Sequence, residues 1–262
     1  MTLWNDVISQ NNTVSYAYFS RGMVFLKEKR NDEAFNDFNR AIELKTDFAE
    51  AYYNRVVIFL NGDRNDEAIN DFNKAIEMKP NFTEAYNNRG NAFFKEKKYE
   101  EAINDFNKVI EIKSSFAEAY DNQGRVYFEL KKYEEALNDF NKAIELKSDF
   151  AEAYYNRGVI FLNENRNEEA INDFDKAIEI KPSFADAYNN RGNIFFKGKK
   201  YEEAIRNYDQ AITLKNDNAE AYFNMAVAEY YLGKKDVACK DMKQAASLGY
   251  QQAANALVQI CK

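Results

Sequence analysis

Apolar and small residues recur along the chain at helical spacing, interrupted at regular intervals by short polar breaks. Between Ala151 and Phe184 they stand at Tyr154, Gly158 and Phe161, then at Ala170, Ile171, Phe174, Ala177 and Ile178. Steps of three and four place each set on one face of a helix. Asn163-Glu164-Asn165-Arg166-Asn167 separates the sets and is too polar to extend either stripe. The pattern predicts two helices folded back on each other at that break. The same layout returns every 34 residues, starting at residues 15, 49, 83, 117, 151, 185 and 219. A fixed period of this length dictates the architecture of the whole chain.

Numbered 1 to 34 within each repeat, several positions barely vary. Position 4 is always Tyr, from Tyr18 to Tyr222, and position 20 is always Ala, from Ala34 to Ala238. Position 24 is aromatic in every repeat but the last, which has Met242. Position 8 is Gly except at Val56 and Ala226, and Pro80 and Pro182 both fall at position 32, where a helix should stop. Small residues at 8 and 20 let two helices approach, and the aromatics at 4, 11 and 24 fill the space around them. One hairpin cannot cover both of its faces, so each must stack on its neighbours.

These residues resemble the tetratricopeptide repeat, whose 34-residue pattern runs aromatic, Leu-Gly, aromatic, Ala, Phe, Pro. Tyr154, Gly158, Phe161, Ala170, Phe174, Ala177 and Pro182 occupy those places in the fifth repeat, while Arg157 stands where Leu is usual. The resemblance covers residues 15–252 and implies an all-α, right-handed superhelical solenoid of antiparallel helix pairs. It also implies a concave groove lined by the first helix of each repeat, the surface on which the family binds peptides. The expected organisation is an N-terminal cap segment at 1–14, then repeats at 15–48, 49–82, 83–116, 117–150, 151–184, 185–218 and 219–252. A C-terminal capping helix at 253–262 completes it, the helical pattern starting at Gln251. In the cap segment, Leu3, Trp4, Val7 and Ile8 are spaced to pack on the first hairpin.

A longer period lies above the first. Repeats two and five agree at 27 of 34 positions, and repeats three and six share Tyr-Asn-Asn-Arg-Gly-Asn, so a three-repeat block has been duplicated. Either the duplication carries no functional meaning, or a ligand with its own repeat is read twice.

The face of the first helix opposite its core stripe comprises positions 2, 5, 6, 9 and 13. Position 6 is Asn in six consecutive repeats: Asn54, Asn88, Asn122, Asn156, Asn190 and Asn224. Stacking aligns them into a ladder, and an amide with both donor and acceptor matches a peptide backbone. Positions 5 and 9 vary and supply candidate side-chain pockets: Tyr53, Tyr155, Asn87, Asn189, Asn91, Asn193 and Arg125. Position 2 is acidic in six repeats, so a neutral or basic partner segment is expected. A chain rich in Asn, Lys, Ile, Phe and Tyr throughout also explains the ladder without any ligand. Repeats of this family that seize acidic chaperone tails carry Lys or Arg at positions 2 and 6, where this chain has acids and Asn. Chaperone-tail binding is therefore not expected.

Composition narrows the chemistry. Asp plus Glu outnumber Lys plus Arg by 43 to 36, a formal net charge of −7, which argues against sequence-blind phosphate binding and anionic membranes. No histidine is present, which removes the commonest general base and metal ligand. No phosphate loop, metal-spaced Cys cluster or nucleophile elbow appears. Paired acids such as Glu100-Glu101 and Glu202-Glu203 open second helices, where the positive helix end and water account for them. No enzymatic activity, cofactor or metal is expected. Position 7 is Arg in five repeats (Arg21, Arg55, Arg89, Arg157, Arg191) and position 23 is Asp in six; an Arg head on a nearby Asp reads as a structural pair, with ligand contact as the competing reading.

The chain is expected to act as a protein–protein interaction scaffold that binds an extended peptide, with no nucleic acid or membrane partner. The alternatives are an assembly module that recruits folded partners through its convex face or ends, and the targeting arm of a larger enzyme. No apolar run is long enough to span a membrane and the first residues lack the features of a secretory signal, so a cytoplasmic location is expected. Cys239 and Cys261 flank Gly249 at similar distances. They are either two reduced thiols or a disulfide, and a disulfide would place the protein outside the cytoplasm.

Overall fold

The computed structural model describes residues 2–261, with backbone alone for Thr2, Val258, Gln259 and Ile260. Lys262, which ends the expected cap helix, lies outside them. Every regular element among the described residues is an α-helix. The chain divides within α8 into two compact units, residues 1–126 and 127–262.

The first unit contains α1 (Thr2–Gln10), α2 (Ser15–Lys27), α3 (Asn31–Leu44), α4 (Ala49–Asn61), α5 (Asn65–Met78), α6 (Thr83–Lys95), α7 (Tyr99–Ile112) and most of α8 (Ala117–Glu129). Within it α2 packs on α3, α4 on α5 and α6 on α7, and each second helix packs on the next first helix. The second unit contains the end of α8, then α9 (Tyr133–Leu146), α10 (Ala151–Asn163), α11 (Asn167–Ile180), α12 (Ala185–Lys197), α13 (Tyr201–Leu214), α14 (Ala219–Tyr231), α15 (Lys235–Ser247) and α16 (Gln251–Ile260). It stacks in the same way, with α16 against α15.

Each repeat buries the residues its pattern marks. Ala170, Phe174 and Ala177 of α11 are fully inaccessible, as are Ala34, Phe38 and Ala41 of α3. A Cβ on Gly158 would lie 2.9 Å from the Phe174 ring, so glycine lets α10 settle on α11. The second helices α5 and α11 end at Met78 and Ile180, two residues before Pro80 and Pro182, which cannot continue a helix. Their first turns carry acids rather than side-chain caps, and the helix dipole favours charge there. First helices α4, α6, α10 and α12 follow a Phe whose ring packs inward instead of capping. Only Asn218, before α14, caps a helix among the described termini, accepting from the Ala221 N–H at 3.1 Å. The turn between the two helices of a repeat passes through a left-handed residue at position 15. It is non-glycine in six repeats, from Lys29 to Lys199, and Gly233 in the last.

The position-7 arginines tie the stack together. In Arg21, Arg55, Arg89 and Arg157, Nε and Nη2 donate to both oxygens of Asp37, Asp71, Asp105 and Asp173 at 2.6–2.8 Å. The remaining nitrogen reaches the preceding repeat: Arg55 donates to Asn39, Arg89 to Asn73 and Arg157 to Asn141, while Arg21 donates to Asn5 of α1. The Arg55 guanidinium lies between the Tyr52 and Phe59 rings, 5.4 and 5.5 Å from their centroids. Burial pushes the Asp71 and Asp105 carboxyls up, and their arginines pull them back. These arginines spend their donors on bonds within the stack.

Three repeats lack the tie. Repeat six has Asn207 in place of the Asp, and Arg191 donates to it through Nε at 2.8 Å and to Asp175 through Nη1. Repeat four has Gln123, whose amide donates to Asn107 at 2.8 Å. Asp139 Oδ2 has no hydrogen-bond partner, and burial pushes that carboxyl up to about 7. Repeat seven has Met225, and Asp241 lies instead against Glu229, which replaces the aromatic at position 11. Burial and the neighbouring acid together raise Glu229.

At the chain ends, α1 packs on α2 through an edge contact of Trp4 with Tyr16, whereas Leu3 stays exposed. Helix α16 buries Ala253 beside Met242, and a disulfide joins Cys239 to Cys261 with a Cα–Cα distance of 5.1 Å.

Candidate functional site

The first helices project their position-6 asparagines, all half-buried, onto one face in each unit. In the first unit these are Asn54, Asn88 and Asn122; in the second, Asn156, Asn190 and Asn224. Their amide donors are mostly engaged within the protein. Asn88 Nδ2 donates to the Tyr53 hydroxyl at 2.8 Å, and Asn190 Nδ2 donates to the Tyr155 hydroxyl at 3.1 Å. Asn122 donates to Asn87 Oδ1 and Asn224 to Asn193 Oδ1, both at 3.1 Å. Asn54 donates to the Glu50 carbonyl at 2.7 Å. Two carbonyl oxygens are engaged as well, Asn88 Oδ1 by Asn87 and Asn122 Oδ1 by Arg125, whereas those of Asn54, Asn190 and Asn224 accept no hydrogen bond among the described residues.

Tyr53 and Tyr155 are held rather than free. Tyr53 packs 4.8 Å from Phe82, and Tyr155 packs 4.7 Å from Phe184. Burial pushes the Tyr155 hydroxyl up to about 12 and raises Tyr53 in the same sense. Both hydroxyls therefore stay protonated as they accept from the asparagines. Tyr53, Val57, Leu60, Asn88 and Asn91 border a hollow of about 260 Å³ in the first unit. Arg125 lies over the Phe94 ring at 5.1 Å and donates to Asn122 at 3.3 Å. Asn87 donates weakly to Asn88 at 3.4 Å, and Asn193 accepts from the Tyr208 hydroxyl at 2.8 Å. Asn189 is 94% sealed by its neighbours, with its side-chain oxygen unpartnered and its nitrogen 3.4 Å from Glu220.

A second hollow, of about 430 Å³, was not legible from the sequence pattern. Leu162, Phe196, Phe223 and Val227 wall it, and Glu220 and Lys197 border it. Two departures from the repeat mark the place. Tyr208 is the one tyrosine at position 24, and Gly249 replaces the lysine found at position 31 of every other repeat. The acidic rim is less negative than position 2 suggests. Lys79 binds Glu50 at 3.4 Å and Lys181 binds Glu152 at 2.8 Å.

No helix among the described residues is long and apolar enough to cross a membrane. Family models described as tetratricopeptide repeat match residues 15–48, 83–116 and 220–248. Another, described as TPR repeat, matches 58–97, 124–164, 160–198 and 192–233. No curated protein matches the sequence significantly. Among solved structures, the Cut9–Hcn1 assembly of the APC/C aligns with all of this chain at 16% identity and a TM-score of 0.75. The chain spans about half, 52%, of that protein. A tetratricopeptide repeat protein from Parabacteroides merdae aligns over 95% of this chain and 99% of its own at 19% identity, TM-score 0.72. YrrB, described as a TPR protein with an unusual peptide-binding site, is 27% identical over 70% of this chain and 95% of its own, TM-score 0.54.

Proposed function

The chain belongs to the tetratricopeptide repeat family, and on that premise we propose that it holds an extended segment of a partner protein against its first helices. The family's common role, protein interaction, supplies the setting; the residues supply the mode. One observation carries it: the amide nitrogens of position-6 asparagines on each unit are fixed within the protein, which leaves the carbonyl oxygens of Asn54, Asn190 and Asn224 without a partner among the described residues. A row of fixed acceptors suits the N–H groups of an extended backbone, which occur in every sequence. Ordering the asparagines in advance lowers the entropy lost on binding. The peptide-binding site noted for YrrB supports the same reading. Neutral or basic segments fit best, because acids outnumber bases on this face. The Cys239–Cys261 bond suits an oxidising compartment, and we take that as the protein's location.

The test uses the full chain. Peptides selected from a random library are resynthesised with single backbone N-methyl groups and titrated against wild type and an Asn54/Asn88/Asn190→Ala variant. Binding should weaken at some methylated positions and in the variant. Peptides insensitive to both changes would show that recognition lies on another surface.

A further inference from the structure

The hollow between Phe196 and Phe223 has a counterpart 102 residues earlier, because the three-repeat block is duplicated. The two places share their floor: Leu60, Asn91 and Lys95 correspond to Leu162, Asn193 and Lys197. They differ at the third repeat of each block. The first block has Asp121 and Arg125, and Arg125 covers the Phe94 ring. The second has Phe223 and Val227 there, leaving an apolar recess of about 430 Å³ backed by Phe196. Phe223 is braced by Tyr250 at 5.1 Å, and Asn193 is fixed by Tyr208 and Asn224. The recess is thus shaped by residues that are themselves held in place.

Its rim carries an acid whose repeat has lost the position-31 lysine. Glu50 and Glu152 stand at the same repeat position as Glu220 but are neutralised by Lys79 and Lys181. In repeat seven that lysine is Gly249, and Glu220 forms no ion pair among the described residues. Its nearest polar partner is the neutral amide of Asn189, at 3.4 Å. Its negative charge reaches the Tyr208 and Tyr250 hydroxyls, whose loss of a proton it opposes after burial does. Lys197 also borders the recess, but it lies in the last turn of α12, where the helix end offsets its charge.

We propose that this recess is a specificity pocket that takes a bulky apolar side chain of the partner, with an adjacent Lys or Arg on Glu220. The inference rests on the peptide-binding reading above and assigns that peptide its anchor. The pocket suits a Leu, Met or Phe side chain, since aromatic and aliphatic walls bury such groups, and buried apolar anchors dominate peptide affinity. The charge at the rim selects the neighbour and contributes less, as exposed pairs do.

The probe is a random peptide library displayed on phage and panned on the full chain, followed by anisotropy titration of the labelled consensus peptide. The consensus should pair a large apolar residue with a Lys or Arg. Val227→Arg reproduces what position 9 already carries as Arg125, so the repeat tolerates it; it should fill the recess and weaken binding about tenfold or more. Glu220→Gln should weaken binding roughly two- to fivefold, and that loss should vanish when the peptide's basic residue is changed to Gln. A consensus with an acidic neighbour, or none, overturns the proposal. So do peptides that bind Val227→Arg and Glu220→Gln as tightly as wild type; if Asn54/Asn88/Asn190→Ala still abolishes their binding, the backbone reading survives alone. A library that yields no binder removes both.

Discussion

Arg157 closes on Asp173 with two parallel hydrogen bonds, Nε and Nη2 donating at 2.8 and 2.6 Å, and its third nitrogen reaches Asn141 of the preceding repeat at 2.7 Å. One side chain thus joins three helices. Asp173 is almost fully buried, so its charge has little water to fall back on. The hydrogen bonds to Asp173 raise the Arg157 guanidinium above its ordinary range, so the arginine stays charged at any working pH. Removing one partner from such a pair leaves an uncompensated buried charge. Arg157→Leu should destabilise the second unit by about 3 kcal/mol in urea melts. Arg157→Lys should recover only part, because an ammonium cannot bind both carboxylate oxygens in one plane. Melts of Arg157→Leu that overlay on wild type would reduce the tie to decoration.

Where the arginine is missing, the pH dependence reverses. Asp139 ordinarily titrates near 3.8 and is pushed up to about 7 by burial. Its folded form holds a proton that the unfolded chain has already released, so it stabilises below the unfolded value and loses that contribution as pH rises through about 7. Glu229 is raised in the same direction. Thermal melts should therefore show a lower Tm at about pH 8 than at about pH 6, the opposite of ordinary paired carboxylates. Asp139→Asn and Glu229→Gln should each raise Tm at the higher pH and flatten the profile. A wild-type Tm that climbs over this interval contradicts the assignment.

The repeat, its helices and its core were legible because tandem copies expose their own rules: Ala170, Phe174 and Gly158 announce contact positions by recurring. The Arg–Asp tie was legible for the same reason. Departures from the repeat were not. Asn189 shares its position with Asn87 in the sequence, yet is nearly sealed because α14 supplies Glu220 and the surrounding wall. Tyr155 looked like a free anchor, but Phe184 and Asn190 already hold it. The recess at Phe223 depends on which residues α10, α12 and α13 bring to it, and periodicity averages that information out.

Position 15 shows a fault common to six repeats. Lys97 has φ of 60°, in the left-handed region, with no glycine to relieve the clash between Cβ and carbonyl. Gly233 occupies the same place in repeat seven at 76°. Lys97→Gly should therefore stabilise the first unit by up to about 1 kcal/mol, and Gly233→Ala should cost the second a similar amount. The two changes have opposite signs although each exchanges a single residue at the same turn position. Denaturant midpoints that move in the same direction for both would rule out the backbone as the cause.

The last hairpin depends on a covalent bond. Helix α16 offers Ala253, Ala256 and Leu257 to α15, a small apolar face for a terminal helix. Cys239–Cys261 closes a loop of 22 residues around the Gly249 turn. In the chain-entropy account, a loop of that size stabilises by about 3 kcal/mol. Reduction, or Cys239→Ser, should open α16 before anything else unfolds, because repeat stacks lose their ends first. Amide hydrogen exchange reads this directly: protection in α16 should collapse on reduction while α10 and α11 keep theirs. Losing the helix also removes Tyr250's support, so the brace on Phe223 should loosen and the recess at Glu220 should bind its peptide more weakly. Protection in α16 that survives reduction would assign its docking to packing alone and would uncouple the disulfide from the pocket.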